Sequence, residues 1–135
     1  MRAASLLLAA VLVLVLSACS SAGSSSANKF SGTAKDVATV VEDLQSAAQD
    51  DDASRACTNL FARSLVTQLQ QRGIACQRAV ARAFDAVDTT DLKVTSVRVN
   101  GANATTRVES GTGDSTRTFT VRLVREGRNW KIASI

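Results

Sequence analysis

Residues 92–110 read LKVTSVRVNGANATTRVES, and the period of this stretch decides the fold. Before Leu92 apolar residues recur every three to four positions. From Lys93 onward valine and threonine dominate and the period falls to two. The first spacing lines one stripe of a helix, and the second lines one face of a strand. Lys93–Asn100 therefore predicts a strand, and Asn100-Gly101 predicts the hairpin turn that ends it. Over residues 104–110, Ala104, Thr106 and Val108 alternate with Thr105, Arg107 and Glu109. Gly111-Thr112-Gly113-Asp114 predicts a second turn. Residues 116–126 form the longest predicted strand, with Phe119, Val121 and Leu123 on one face. Residues 126–129 turn the chain again, and Trp130–Ile135 predicts a closing strand.

Working back, Thr33 predicts a helix cap with Asp36 in the first turn. Val37, Val40, Val41, Leu44 and Ala48 share one stripe, and Lys35, Glu42, Asp43 and Gln45 cover the wet side. The helix stops near Asp50-Asp51-Asp52. That triplet lacks the D-x-D-x-D-G spacing and the distal glutamate of a calcium loop, so it predicts a solvated turn whose last aspartate caps the next helix. Residues 53–72 predict two helical pieces, marked by Ala56, Cys57 and Leu60 and then by Leu65, Val66 and Leu69. Gly73 is a C-cap residue. A last helix runs from Ala75 to Val87, with Cys76, Val80, Ala83, Phe84 and Val87 on its apolar stripe. Helices first and four hairpin-linked strands after them predict an α+β domain over residues 33–135. Its architecture is a set of N-terminal helices packed on a curved four-stranded antiparallel sheet.

The leader carries the clearest motif. Arg2 precedes an unbroken apolar run of 11 residues, Leu6–Leu16. A bilayer span needs about 20 such residues. Leu16-Ser17-Ala18-Cys19 resembles the bacterial lipobox. The resemblance implies that residues 1–18 are a lipoprotein signal peptide and that Cys19 receives a diacylglyceryl group. It also implies an extracytoplasmic protein, lipid-anchored to the cell membrane. A secreted protein cut near Ala18 and an uncleaved anchor are the other readings. Residues 19–32, rich in Ser, Ala and Gly, predict a flexible tether, with Phe30 either docking on the domain or marking where order begins.

The whole chain of 135 residues carries a net charge of +4 and contains no histidine, tyrosine or proline. Residues 1–18 remove only Arg2, which leaves +3 on the mature side chains. That mild charge gives no concentrated basic footprint for nucleic acid. With Cys19 lipidated, Cys57 and Cys76 remain, and an oxidising compartment pairs them in one disulfide. Two free thiols are the alternative. Without histidine no metal site is expected.

The ordering of elements, together with residues 56–60 (ACTNL), 97–104 (VRVNGANA) and 121–132 (VRLVREGRNWKI), resembles the nuclear transport factor 2-like superfamily. Within it the pattern is similar to small actinobacterial-type envelope lipoproteins. The resemblance implies a cone in which helices and curved sheet enclose a pocket. Ketosteroid isomerase relatives use tyrosine and aspartate there, and the tyrosine is absent here. Asp85, Asp88 and Asp91 are the candidate bases. No catalytic residue is assigned, no cofactor is implied, and no G-x-S-x-G or phosphate loop occurs. Arg98, Arg107 and Arg122 fall on successive strands and form a basic strip, read as a solvated face or as a contact for anionic head groups. Trp130 is expected to pack at the core edge under the last helix, with stacking on a ligand as the alternative. The function expected is a non-catalytic binding module for a protein partner or a small apolar ligand at the envelope. The alternatives are an isomerase- or cyclase-like enzyme with a buried aspartate, and a structural subunit that dimerises through the sheet. Side chains such as Phe84, Phe119 and Trp130 filling the cone would remove the enzyme reading.

Overall fold

A computed structural model describes residues 25–86 and 91–135. The leader, Cys19, Val87 and Asp88 lie outside the described residues. A 3-10 turn (Ser26–Lys29) leads into α1 (Gly32–Gln49). α2 (Ala53–Arg55) runs on into a π turn (Ala56–Leu60), and α3 (Arg63–Gln71) and α4 (Cys76–Ala86) follow. The strands are β1 (Leu92–Asn100), β2 (Asn103–Ser110), β3 (Arg117–Glu126) and β4 (Asn129–Ser134). They form one antiparallel meander in the order β1-β2-β3-β4. This is the α+β arrangement that the change of period predicts.

Alternation sets the inner face. Ala104, Thr106 and Val108 of β2, Val121 and Leu123 of β3, and Trp130 and Ile132 of β4 are buried. β1 departs from strict alternation. A bulge between Val94 and Ser96 sets Val94 opposite Val108 and Val97 opposite Thr106, so two valines three positions apart share one face. The stripe Val37, Val41 and Leu44 of α1 closes the core over this face. At the other edge, Phe61 pairs in parallel with Ile132, and Ala62 N donates to Ile132 O at 2.8 Å. The π turn thus delivers a short segment that caps the edge of β4.

Helix ends follow their local chemistry. Asp51 takes φ +52°, with Asp52 N bonded to Ala47 O at 2.8 Å, and Gly73 takes φ +71°, with Ile74 N bonded to Leu69 O at 2.9 Å. Both are left-handed helix stops of the Schellman kind. Asp52 accepts from Arg55 N at 2.9 Å, which is the expected cap of the next helix. Gly111 is required at its turn: φ is +92° and an added Cβ would meet Ser115 O at 2.8 Å.

Four expectations are corrected. α1 begins at Gly32 after Ser31, so Thr33 lies inside the first turn and is not the cap. The tether expected over 19–32 ends sooner. Ser25 Oγ donates to both carboxylate oxygens of Glu42 (2.9 and 2.8 Å), and Ser26 Oγ (3.2 Å) and Ala27 N (2.8 Å) donate to Oε1. Ser26 Oγ in turn accepts from Val94 N at 3.1 Å, and of the two readings of Phe30 the structure shows docking on the core. Glu42 and Gln45 therefore do more than cover a wet side, since Gln45 Oε1 accepts from Leu92 N at 3.2 Å. Trp130 is buried, but β4 packs chiefly against α1, the π turn and α3, so the indole sits under the first helix and not the last.

Candidate functional site

α3 buries none of its residues fully, although Leu65, Val66 and Leu69 form an apolar stripe. A helix with such a stripe gains stability only by covering something apolar. Here Leu65 and Leu69 face an open groove of about 590 Å³. Ala79, Val80, Ala83 and Phe84 of α4 form a second wall, and Leu92 and Phe119 supply the sheet side. Phe61 and Leu44 close the inner end of the apolar lining. Small-molecule sites span about 300–1,000 Å³ and are mostly apolar with a few placed polar groups, and this groove meets both criteria.

The polar lining consists of Ser110, Arg117 and Thr118. Arg117 opens β3 on the same parity as Phe119, Val121 and Leu123, so it starts the inward-facing row. Its side chain makes no ion pair with a described residue. A guanidinium beside an apolar groove is a donor for an anionic or carbonyl end of a ligand. No carboxylate of a described residue joins that lining. Asp85 and Asp91 are exposed and are not part of it, and Asp88 is outside the described residues.

Cys57 and Cys76 are joined, with Sγ–Sγ 2.07 Å and Cα–Cα 6.1 Å. The bond ties the π turn to the first residue of α4, with α3 inside the closed loop. Both helical walls of the groove therefore hang from this crosslink. Of the aromatic residues expected to fill the cone, Phe84 and Phe119 line the groove half-buried and leave it open. Trp130 instead borders a separate polar cleft with Val40, Leu60 and Arg128. In that cleft Arg55 pairs with Asp43 at 3.6 Å, and it also reaches Asp50 at 3.9 Å. These exposed pairs contribute about 0–1 kcal/mol each. Among the described residues no cluster of three or more His, Cys, Asp and Glu is placed to hold a metal ion.

Among solved structures the chain is similar to the de novo designed NTF2 fold protein NT-9. The TM-score is 0.54 at 13% identity, over 78% of this chain and 87% of that one. The fold is of the nuclear transport factor 2-like type. A structure from Campylobacter jejuni described as an NTF2-like transpeptidase aligns with TM-score 0.49 at 12% identity, over 72% of this chain and 96% of that one. No protein-family model and no curated protein matches the sequence. An NTF2-like fold hosts enzymes and non-enzymes alike, so function rests on the groove.

Sequence reasoning missed Arg117 and the groove beside α3. Strand parity was the available signal for Arg117, because counting back from Phe119 puts a charge on the apolar face. For Leu65 and Leu69 no signal existed, since a stripe that covers a core and a stripe that borders a groove read identically.

Proposed function

We propose that this protein is a lipid-anchored extracytoplasmic binding module whose groove takes a small ligand with an apolar body and an anionic end. The apolar body lies between α3, α4 and the sheet, and the anionic end meets Arg117. One observation carries the reading: the groove is open, mostly apolar, and bordered by an arginine that has no ionic partner among the described residues. The lipobox-like Leu16-Ser17-Ala18-Cys19 supports the location. Two acyl chains on Cys19 exceed the single-chain threshold for stable attachment. Held at a membrane surface, the groove would meet amphiphiles at high local concentration.

Residues 25–135 contain all the described elements, the core and the disulfide, so the chain from residue 20 onward carries the described fold without its leader. Calorimetric titration of that chain with decanoate and with decanol tests the reading. Saturable one-to-one binding is expected, with decanoate preferred severalfold and the preference lost in Arg117→Ala, in line with about 1 kcal/mol for a partly exposed charge pair. Ala83→Trp, which fills the groove from an exposed position, should abolish binding of both. Binding unaffected by Ala83→Trp would place the ligand elsewhere and overturn the assignment.

A further inference from the structure

The outer face of the sheet brings three arginines together. Arg98 of β1 and Arg122 of β3 flank Thr105 of β2 from opposite sides. Arg107 of β2 lies two residues further on, between Ser96 and Thr120. Diagonal neighbours of this kind lie about 7–8 Å apart. Ser96, Arg98, Thr105, Arg107 and Thr120 line one shallow depression of about 260 Å³. Of the acids on this face, Glu109 stands opposite Lys93 in register and two residues along β2 from Arg107, and Glu126 accepts from Arg63 N at 2.9 Å. None of the three arginines has an ion-pair partner among the described residues. The result is a patch of three exposed guanidinium groups set among hydroxyls.

The start of the fold supplies a second observation. Ser26 is bonded to Val94 of β1, the edge strand that also carries Arg98. Five residues separate Cys19 from Ser25. Extended chain spans about 3.5 Å per residue, so an anchor at Cys19 lies within about 20 Å of Ser25. Arg98 lies four residues along β1 from Val94, about 13 Å, and strands spaced about 4.8 Å apart put Arg122 about 10 Å across from Arg98, so the patch begins about 13 Å from the tie point and ends about 16 Å from it, comparable to that reach. Attraction between charges decays over about 8 Å at physiological ionic strength, so a short leash matters.

We propose that this face docks on an anionic phospholipid surface, with Arg98, Arg107 and Arg122 engaging the headgroup phosphates. Guanidinium groups suit phosphate because they donate two parallel hydrogen bonds. The proposal rests on the lipid-anchor reading of Cys19. Docking would fix how the sheet lies on the membrane and leave the helices and the groove on the opposite side.

The test is cosedimentation of the unacylated chain from residue 20 with vesicles of phosphatidylcholine alone and of phosphatidylcholine mixed with phosphatidylglycerol. Binding is expected only to the mixed vesicles, weakening as salt rises. A basic residue at such a surface contributes about 1 kcal/mol, so replacing all three arginines with alanine should lower the partition constant on the order of a hundredfold. The single variant Arg107→Glu should lower it in the same direction. Arg72, Arg78 and Arg82 replaced together remove the same charge from α4 and the turn before it, and should cost far less. Equal loss in the two triple variants would reduce the effect to net charge and overturn the proposal, as would indifference to phosphatidylglycerol. Inorganic phosphate that saturates the patch and releases the protein at constant ionic strength would assign it to a soluble anion and also overturn the proposal. Acylation of Cys19 is read separately, by the mass of protein extracted from membranes, so the two readings fail independently.

Discussion

Replacing Cys57 and Cys76 with serine removes the crosslink between the π turn and α4, and its cost follows from the length of the loop it closes. The two cysteines are 19 positions apart. Loop-closure entropy for about 20 residues is ~11 cal/mol/K, or about 3 kcal/mol at room temperature. Unfolding entropy is about 2.1 cal/mol/K per residue, so a fold of about 110 residues unfolds with ~0.23 kcal/mol/K. The quotient is a fall in Tm of about 13 °C. Differential scanning calorimetry of the oxidised chain from residue 20 and of the double serine variant measures it directly. Decanoate affinity should fall as well, because the freed end of α4 forms one wall of the groove. A shift below about 4 °C, outside the range that loop entropy allows for this loop, would refute the reasoning. Two reactive thiols per molecule in unreduced, denatured protein would refute the bridge itself.

Three further outcomes are expected. Glu42→Ala strips the acceptor from Ser25, Ser26 and Ala27 and should cost about 2–3 kcal/mol in urea unfolding, with the Ala27 amide losing exchange protection. Gly111→Ala forces a side chain into a left-handed position against Ser115 O and should cost about 1–3 kcal/mol, whereas Gly113→Ala, which meets no neighbour, should cost less. Cys19→Ala should release the protein from the membrane fraction or stall its processing. Normal cleavage with unchanged retention would contradict the anchor.

The sheet was legible because strand period is a local property. Ala104, Thr106 and Val108 take the face that alternation assigns them, and the Gly101 turn sits where Asn100-Gly101 points. The stops at Asp51 and Gly73 and the cap at Asp52 were equally local. What escaped reading depends on partners distant in sequence. Ser25 and Glu42 are 17 positions apart, and a serine-rich stretch bound to a carboxylate has the same composition as a free tether. The β1 bulge hides because Val94 and Val97 belong to one face only after Thr95 and Ser96 share the space of one residue. The groove is a property of packing between α3 and the sheet, which no periodicity encodes.

The central claim is that the space between α3, α4 and the sheet is a ligand site, and amide chemical-shift mapping with decanoate tests it most directly. The account predicts saturable shifts concentrated at Leu65, Leu69, Ala83, Phe84, Arg117 and Phe119. Shifts confined to the outer strand face around Arg98 and Arg107, or none at saturating decanoate, would contradict it.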